Sequence, residues 1–418
     1  MPARRSRSHR SALSWQDPKV YGPLIVLIAF IALFFCCVLL VLVISYIIVQ
    51  LNAAAETSAF PPSPTPTGDQ QGRFLDTLWI FDGHNDLMWE LRENKGNIPL
   101  LSAGIPDLMT DGPKMKQGLL AAQFWSVWVP CSSSSNALTL VMEQVSLAQE
   151  VFAQFPSLFF PVANSHDIRS LRKSQQEQTF PSAPTSLPAA SLLGMEGAHA
   201  LLNSTSLLPA LYALNVRYIT LTHSCSNPFA SSSVDEDTAA DTGLTAHGKE
   251  LVAKMNALGM LVDISHVSRK TMHDVLTETK APVIFSHSSA RAVCNVARNV
   301  PDDVLLRLPA SGGVVMINFW GPFAACSDIG TIDDVVAHFV HIKSLIGAAY
   351  LGIGADYDGV PAQPVGLETV AFYPELMRKL WEAGFTYDEM EGIAHENILR
   401  VMERAEQVAA SLTKLQNV

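Results

Sequence analysis

Cysteine is scarce, six in 418 residues with no Cys-x-x-Cys pair, which excludes a small disulfide scaffold and a thiolate zinc finger. Basic side chains are also few, 28 against 39 acidic for a net charge of -11. They form no patch beyond the N-terminus, which argues against a nucleic-acid partner. No Gly-x-Gly-x-x-Gly follows an early apolar run, so no dinucleotide cradle is prepared. The chain has no short repeat of the solenoid or propeller kind and no C-terminal apolar tail of the kind that precedes a lipid anchor. What it has in quantity is apolar side chains, 48% hydrophobic against 16% charged. That composition excludes a disordered chain and demands a large core.

The N-terminal part stands apart. From Leu24 to Val49 no charge interrupts the apolar run. At about 1.5 Å per residue it reaches roughly 39 Å, enough to cross a hydrocarbon layer of about 30 Å with some tilt. A cleaved signal peptide has a shorter apolar region and a small-residue cleavage site, so retention as an anchor is expected. Arg4, Arg5, Arg7, Arg10 and Lys19 precede the span against Asp17 alone, and no basic residue follows until Arg73. The positive-inside bias keeps the tail in the cytoplasm. The expected layout is a cytoplasmic basic tail over 1–23, a transmembrane signal-anchor helix over 24–49, a Pro/Ser/Thr-rich stalk over 50–72 and a catalytic body over 73–418. The layout predicts a single-pass type II membrane protein with its body extracellular or lumenal.

Within the body, short apolar or β-branched runs recur: Leu78 to Phe81, Ala121 to Val129, Ser191 to Met195, Arg217 to Thr222, Met260 to Ser265, Pro282 to Ser286, Gly313 to Phe319 and Tyr350 to Ala355. Helical spacing separates several of them, as over Thr245 to Leu258, Ser268 to Thr279 and Ile332 to Ile346. Alternating strand and helix implies a parallel sheet, and eight strands imply an α/β fold of the (β/α)8 TIM-barrel kind. An open doubly wound sheet is the alternative. The polar stretch Ser174 to Pro188 reads as a surface excursion.

Barrel chemistry sits where strands end. Those ends carry His84 and Asp86, Glu196, His223, His266, His287 and Asp356. Imidazole and carboxylate suit zinc, and equally manganese, cobalt or iron, and a carboxylate can bridge two cations. One such histidine alone would read as a hydrogen-bonded structural residue; four together favour a two-metal site. His84-Asn85-Asp86 adds to this, because alternation in an extended chain sends both ligands to one side.

With these residues in view, the chain resembles the membrane dipeptidases, or renal dipeptidases, of the zinc amidohydrolase superfamily. The resemblance runs from about Phe81 to Val401. It rests on Asp82-Gly83-His84-Asn85-Asp86-Leu87, Ala122-Gln123-Phe124-Trp125-Ser126, Leu221-Thr222-His223, Asp263-Ile264-Ser265-His266-Val267-Ser268, Phe285-Ser286-His287-Ser288, Arg298-Asn299-Val300-Pro301-Asp302-Asp303 and Gly354-Ala355-Asp356-Tyr357-Asp358-Gly359. It implies a dizinc dipeptidase in which His84 and Asp86 hold one ion, His266 and His287 the other, and Glu196 bridges them. Water shared by the ions is the expected nucleophile. Asp356 is the implied general acid and base, and His223 steadies the oxyanion. Arg298 grips the free carboxylate of a dipeptide substrate, the alternative being a surface ion pair with Asp302 or Asp303. The resemblance also implies disulfides Cys131–Cys225 and Cys294–Cys326, the alternative being four buried thiols.

The chain departs from the family in two places. Ala198 stands in Glu196-Gly197-Ala198-His199 where the family often has a second glycine, and no cysteine follows Cys326 to link two subunits. A noncovalent homodimer remains compatible with the sequence. Asn203-Ser204-Thr205 is a glycosylation sequon. Two other readings stay open: a related metal-dependent amidohydrolase acting on a lactam or an N-acyl amino acid, and a noncatalytic binding protein on the same barrel.

Overall fold

A computed structural model of the chain describes residues 78–133, 135–179 and 188–416. The expected tail, membrane helix and stalk lie outside the described residues. Among the described residues no helix is long and apolar enough to cross a membrane.

Eight parallel strands close into a barrel: β1 (Ile80–Asn85), β2 (Leu120–Trp128), β3 (Ala189–Glu196), β4 (Val216–Thr220), β5 (Leu261–Asp263), β6 (Val283–Phe285), β7 (Val314–Ile317) and β8 (Leu351–Ile353). Each pairs with its neighbours in sequence, and β8 pairs back to β1 through Ile353 and Asp82. All eight expected runs form strands. A short strand, Phe159–Pro161, adds to the start of β3; three residues flanked by turns give no periodicity to read in advance. Several strands stop short of their apolar run. After β5 and β8 the chain leaves the ladder at His266 (φ 65°) and Asp356 (φ 66°), both in the left-handed region. That geometry costs about 1–3 kcal/mol per residue and persists where surrounding structure enforces it. β1 runs further than its apolar run, because Asp82, His84 and Asn85 are polar yet buried.

Three of the helices between the strands, those that open after Thr245, Ser268 and Thr331, start at a side-chain cap. α1 (Leu87–Glu93) follows β1, and α2 (Ala137–Gln154) follows β2. α3 (Ser165–Thr179) takes in the first residues of the polar stretch expected as an excursion. Its Arg172 pairs with Glu391 and Glu396, and Ser-Gln-Gln-Glu-Gln contains no helix breaker. The remainder of that stretch, up to residue 187, lies outside the described residues. α4 (Ala246–Leu258) and α5 (Arg269–Glu278) are capped by Thr245, which accepts from Gly248 N–H, and by Ser268, which accepts from Thr271 N–H. α6 (Ile332–Ile346) opens with a reciprocal capping box between Thr331 and Asp334. Its buried His338 accepts the Ala290 N–H at Nδ1 and donates from Nε2 to Ala324 O, pinning the loops that follow β6 and β7. Burial pushes this imidazole down to about 4, so it is neutral at pH 7.

Two disulfides tie loops at the C-terminal ends of the strands. Cys131–Cys225 joins the segments after β2 and β4, and Cys294–Cys326 those after β6 and β7. The alternative of four free thiols is excluded. Inside the barrel Phe81 stacks on Phe124, and Phe124 meets Tyr218 at a tilt, with ring centroids 5.3 and 5.1 Å apart. Ile398, Leu399 and Met402 of α8 (Asn397–Gln416) join that cluster; a helix over Tyr373–Glu382 is α7.

Tyr218 crosses the barrel because its register partner on β3 is Gly194. A Cβ at Gly194 would lie 2.0 Å from the Tyr218 ring. Gly194→Ala should therefore overpack the interior and cost about 1–3 kcal/mol. It is expected to lower the midpoint of thermal or urea unfolding, and an unchanged midpoint would contradict this packing.

Candidate metal centre

Seven polar side chains from six strand ends meet at the C-terminal mouth of the barrel. His84 and Asp86 come from the end of β1, with His84 Nε2 3.1 Å from Asp86 Oδ2. The expected alternation along the strand thus holds in space. Glu196 closes β3 and is buried. Its Oε2 lies 3.6 Å from His84 Nε2, while its Oε1 lies 2.9 Å from His266 Nε2 and 3.3 Å from His287 Nε2. His266 and His287 bring their Nε2 atoms within 2.8 Å of one another. Asp356 Oδ1 is 3.8 Å from His84 Nε2, and Asn318 donates to its Oδ2 at 2.9 Å. His223 Nε2 stands 3.9 Å from Glu196 Oε1, its ring beside those of His266 and Trp128. Gly359 packs so closely that a Cβ would lie 2.3 Å from Asp86 Oδ2 and 2.7 Å from Asp356 Oδ1.

The electrostatics suit cations. Burial works against a charge on Glu196, yet His84 and His223, with the His266 and His287 rings against its Oε1, hold its carboxyl well below the usual range. Burial pushes Asp356 up to about 7, helped by Asp86 and Glu196 and opposed by His84. Burial also lowers His223, His266 and His287, reinforced in each by the Arg298 guanidinium, so these imidazoles are neutral, the form that ligates metal. His84 goes the other way: burial opposes its charge, but Tyr218, Asp86 and Glu196 hold it well above the ordinary value. Asp86 Oδ1 is buried without a hydrogen-bond partner. Three sets within this cluster, His84/Glu196/His287, Glu196/His223/His266 and His84/Asp86/Asp356, each bring their ligand atoms within 4.8 Å of one another. An orphaned carboxylate oxygen and converging Nε2 atoms fit divalent metal ions.

Arg298 lies at the same mouth, buried, and donates to Ser288 Oγ at 2.6 Å and His287 O at 2.7 Å. It is not in a surface ion pair: Asp303 is taken by Arg269 and His273, and Asp302 by His341. Burial lowers its pKa to about 10, and its Nε has no partner. Ala198 is buried in the core around the barrel. Asn203 is exposed. Cys131 and Cys225 lie near His199, but their bond to each other removes them as ligands. A separate cleft of about 830 Å³ at the other end of the strands, beside Ala281 and Pro282, holds none of these ligands.

The sequence profile of the membrane dipeptidases, peptidase family M19, matches residues 69–416. The chain belongs to the membrane dipeptidases. It is 38% identical over 366 residues to an uncharacterised dipeptidase of Schizosaccharomyces pombe, covering 83% of this chain and 86% of that one. It is 36% identical over 357 residues to human Dipeptidase 3, covering 83% and 70%. Among solved structures, a metallopeptidase from Rhodobacter sphaeroides, liganded with a phosphinate mimic of the dipeptide L-Ala-D-Ala, superposes with TM-score 0.70 at 25% identity, over 79% of this chain and 99% of that one. Membership makes this chain a metallo-dipeptidase of the amidohydrolase type.

The structure of this dipeptidase brings every metal, catalytic and substrate-binding residue expected from sequence to one mouth, and adds others that carried no role beforehand. Asp82, buried within β1, accepts the N–H of His84 at 2.9 Å and of Ala355 at 3.2 Å, with the hydroxyl of Tyr373 on its other oxygen; burial pushes it up to about 6. Tyr218 OH lies 2.7 Å from His84 Nδ1. The available signal was an aspartate directly after the apolar run Leu78 to Phe81 and two residues before His84. If the cluster holds cations, adding zinc to chelator-stripped protein should raise its melting temperature, by about 4.1 kcal/mol of stability at a thousandfold excess over Kd. Glu196→Gln should shrink that rise; an equal rise in the variant would remove Glu196 from the ligand set.

Proposed function

We propose that the chain is a dizinc dipeptidase anchored by its N-terminal helix, with its active site outside the cytoplasm. The observation that carries the two-ion reading is the division of labour on Glu196. One carboxylate oxygen faces His84 of the His84/Asp86 pair, and the other faces His266 and His287. The ions, when bound, supply Lewis acidity that polarises the scissile carbonyl and activates water at neutral pH.

The chain's own side chains do the rest. Asp356 takes the proton of the attacking water at Oδ1 and returns it to the departing amine, while Asn318 holds its other oxygen. His223 donates to the oxygen that becomes negative as the carbonyl carbon turns tetrahedral. Arg298 spends two of its five N–H groups on Ser288 and His287 O. The remaining three, including the unpartnered Nε, form a fork for the C-terminal carboxylate of a dipeptide. Such a fork favours a dipeptide over a longer peptide, whose carboxylate falls beyond it.

The membrane reading is supported by the charge-free run of residues 24–49 behind a basic tail, by a Pro-rich segment between that run and the barrel, and by two disulfides, which persist in oxidising compartments. The exposed Asn203 sequon fits the same side of the membrane.

Full-length protein in detergent should cleave dipeptides, lose activity with a chelator and regain it with zinc, at two zinc ions per chain. Asp356→Asn should lower kcat by about 10²–10⁴-fold with metal content intact, and His223→Ala by about 10²–10³-fold. Arg298→Ala should raise KM for a dipeptide while leaving a dipeptide amide almost unaffected. Bound metal without dipeptide cleavage would move the substrate to another small amide. Topology is checked separately: N-glycosidase should increase the gel mobility of protein from a secretory membrane, and an N-terminal tag should be digestible from the cytoplasmic side only. Unchanged mobility would reject occupancy of Asn203, and a tag digested from the other side would reject the orientation.

A further inference from the structure

Asp263, the last residue of β5, is fully buried and accepts four hydrogen bonds. Its Oδ1 takes the backbone N–H groups of Ser265 (3.0 Å) and Ser286 (2.9 Å), and its Oδ2 takes the hydroxyls of Thr220 (2.6 Å) and Ser286 (2.6 Å). Ser286 Oγ also lies 2.8 Å from His287 Nδ1. A serine hydroxyl carries one proton. With that proton given to Asp263, Ser286 can meet the imidazole only as an acceptor. Nδ1 of His287 then carries the ring hydrogen, and Nε2, the atom beside Glu196 and His266, presents a lone pair.

We propose that Asp263 and Ser286 are positioning residues that fix the ring tautomer of His287 for metal binding through a hydroxyl relay. The inference rests on the reading of His287 as a metal ligand. It differs from a direct carboxylate–histidine contact in that the direction of the serine proton decides the tautomer, and the backbone decides the direction. Two backbone N–H groups can only donate, so whatever stands at 263 must turn an acceptor toward them. In Asp263→Asn the amide oxygen must therefore face Ser265 and Ser286 N–H, and the amide NH2 must face the two hydroxyls. Ser286 then accepts from the asparagine and donates to His287 Nδ1, which moves the ring hydrogen to Nε2 and blocks the ligand atom. In Ser286→Ala the ring loses a partner but is not forced into the wrong tautomer.

The test is metal content per chain of the full-length protein across a graded series of chelator concentrations, with thermal unfolding as a check that each variant is folded. Asp263→Asn should release metal about 10–100-fold more readily than the parent, and Ser286→Ala by a smaller factor. The double variant D263N/S286A should return to the Ser286→Ala value, because no hydroxyl remains to transmit the reversed proton. That rescue is what a merely structural role for Asp263 does not produce. Parental metal retention in Asp263→Asn or in Ser286→Ala overturns the proposal, as does a double variant that holds metal no better than Asp263→Asn alone. His287→Ala, measured alongside, separates the two readings. If it releases metal while Asp263→Asn does not, only the relay fails; if it keeps the parental content, the ligand reading fails and takes the relay with it.

Discussion

The structure turns on a carboxylate buried among imidazoles. Glu196 closes β3 at the mouth of the barrel, and its charge is offset there first by His84 at one oxygen and then by His223 near the other, where the Nε2 atoms of His266 and His287 also converge. A buried charge left unpaired would cost several kcal/mol, more than any single packing contact returns. The side chains around Glu196 must therefore be held at their distances, and much of the surrounding structure consists of the means of holding them.

Those means are of three kinds. The ladder sets the level: Trp128 pairs with Glu196, Glu196 with Thr220, and Thr220 with Asp263, so three consecutive strand pairs deliver polar groups at one height. Buried aspartates behind the site histidines hold the turns: Asp82 gathers the N–H groups of His84 and Ala355, and Asp263 those of Ser265 and Ser286. Each clamps two neighbouring strand ends together and frees the chain beyond to enter the left-handed conformations seen at His266 and Asp356. The loops are then tied from outside by two disulfides and, between the β6 and β7 loops, by the neutral His338. Arg298 is part of the same frame, since it reaches Ser288 and the carbonyl of His287. The Arg298 guanidinium and the His287 ring thus share backbone, and a change at one is felt at the other.

Much of this was legible in the residues. Eight apolar runs spaced by helical segments specify a parallel barrel because β-strands and helices bury different periodicities, and polar residues at the ends of the runs mark the mouth because only there can such groups escape the core. Alternation pointed to His84 and Asp86 as a pair, a weak signal by itself that gained weight from the other strand-end residues. The sequence could not say that Asp82 and Asp263 are anchors, since an aspartate in an apolar run looks the same whether it ligates, clamps or faces water. Nor could it choose between a surface ion pair and a buried fork for Arg298: the competing partners Asp302 and Asp303 are near in sequence and were drawn off by His341, Arg269 and His273, which are not.

The sequence by itself determined the periodicities, the caps at Thr245, Ser268 and Thr331, and the chemical types of the ligands, because each depends on residues within a turn or two of one another. Only the tertiary structure decided which oxygen of Glu196 faces which histidine, and which hydroxyls and N–H groups gather on Asp263. Those choices depend on distances between strands far apart along the chain, and closure of the barrel is what sets them.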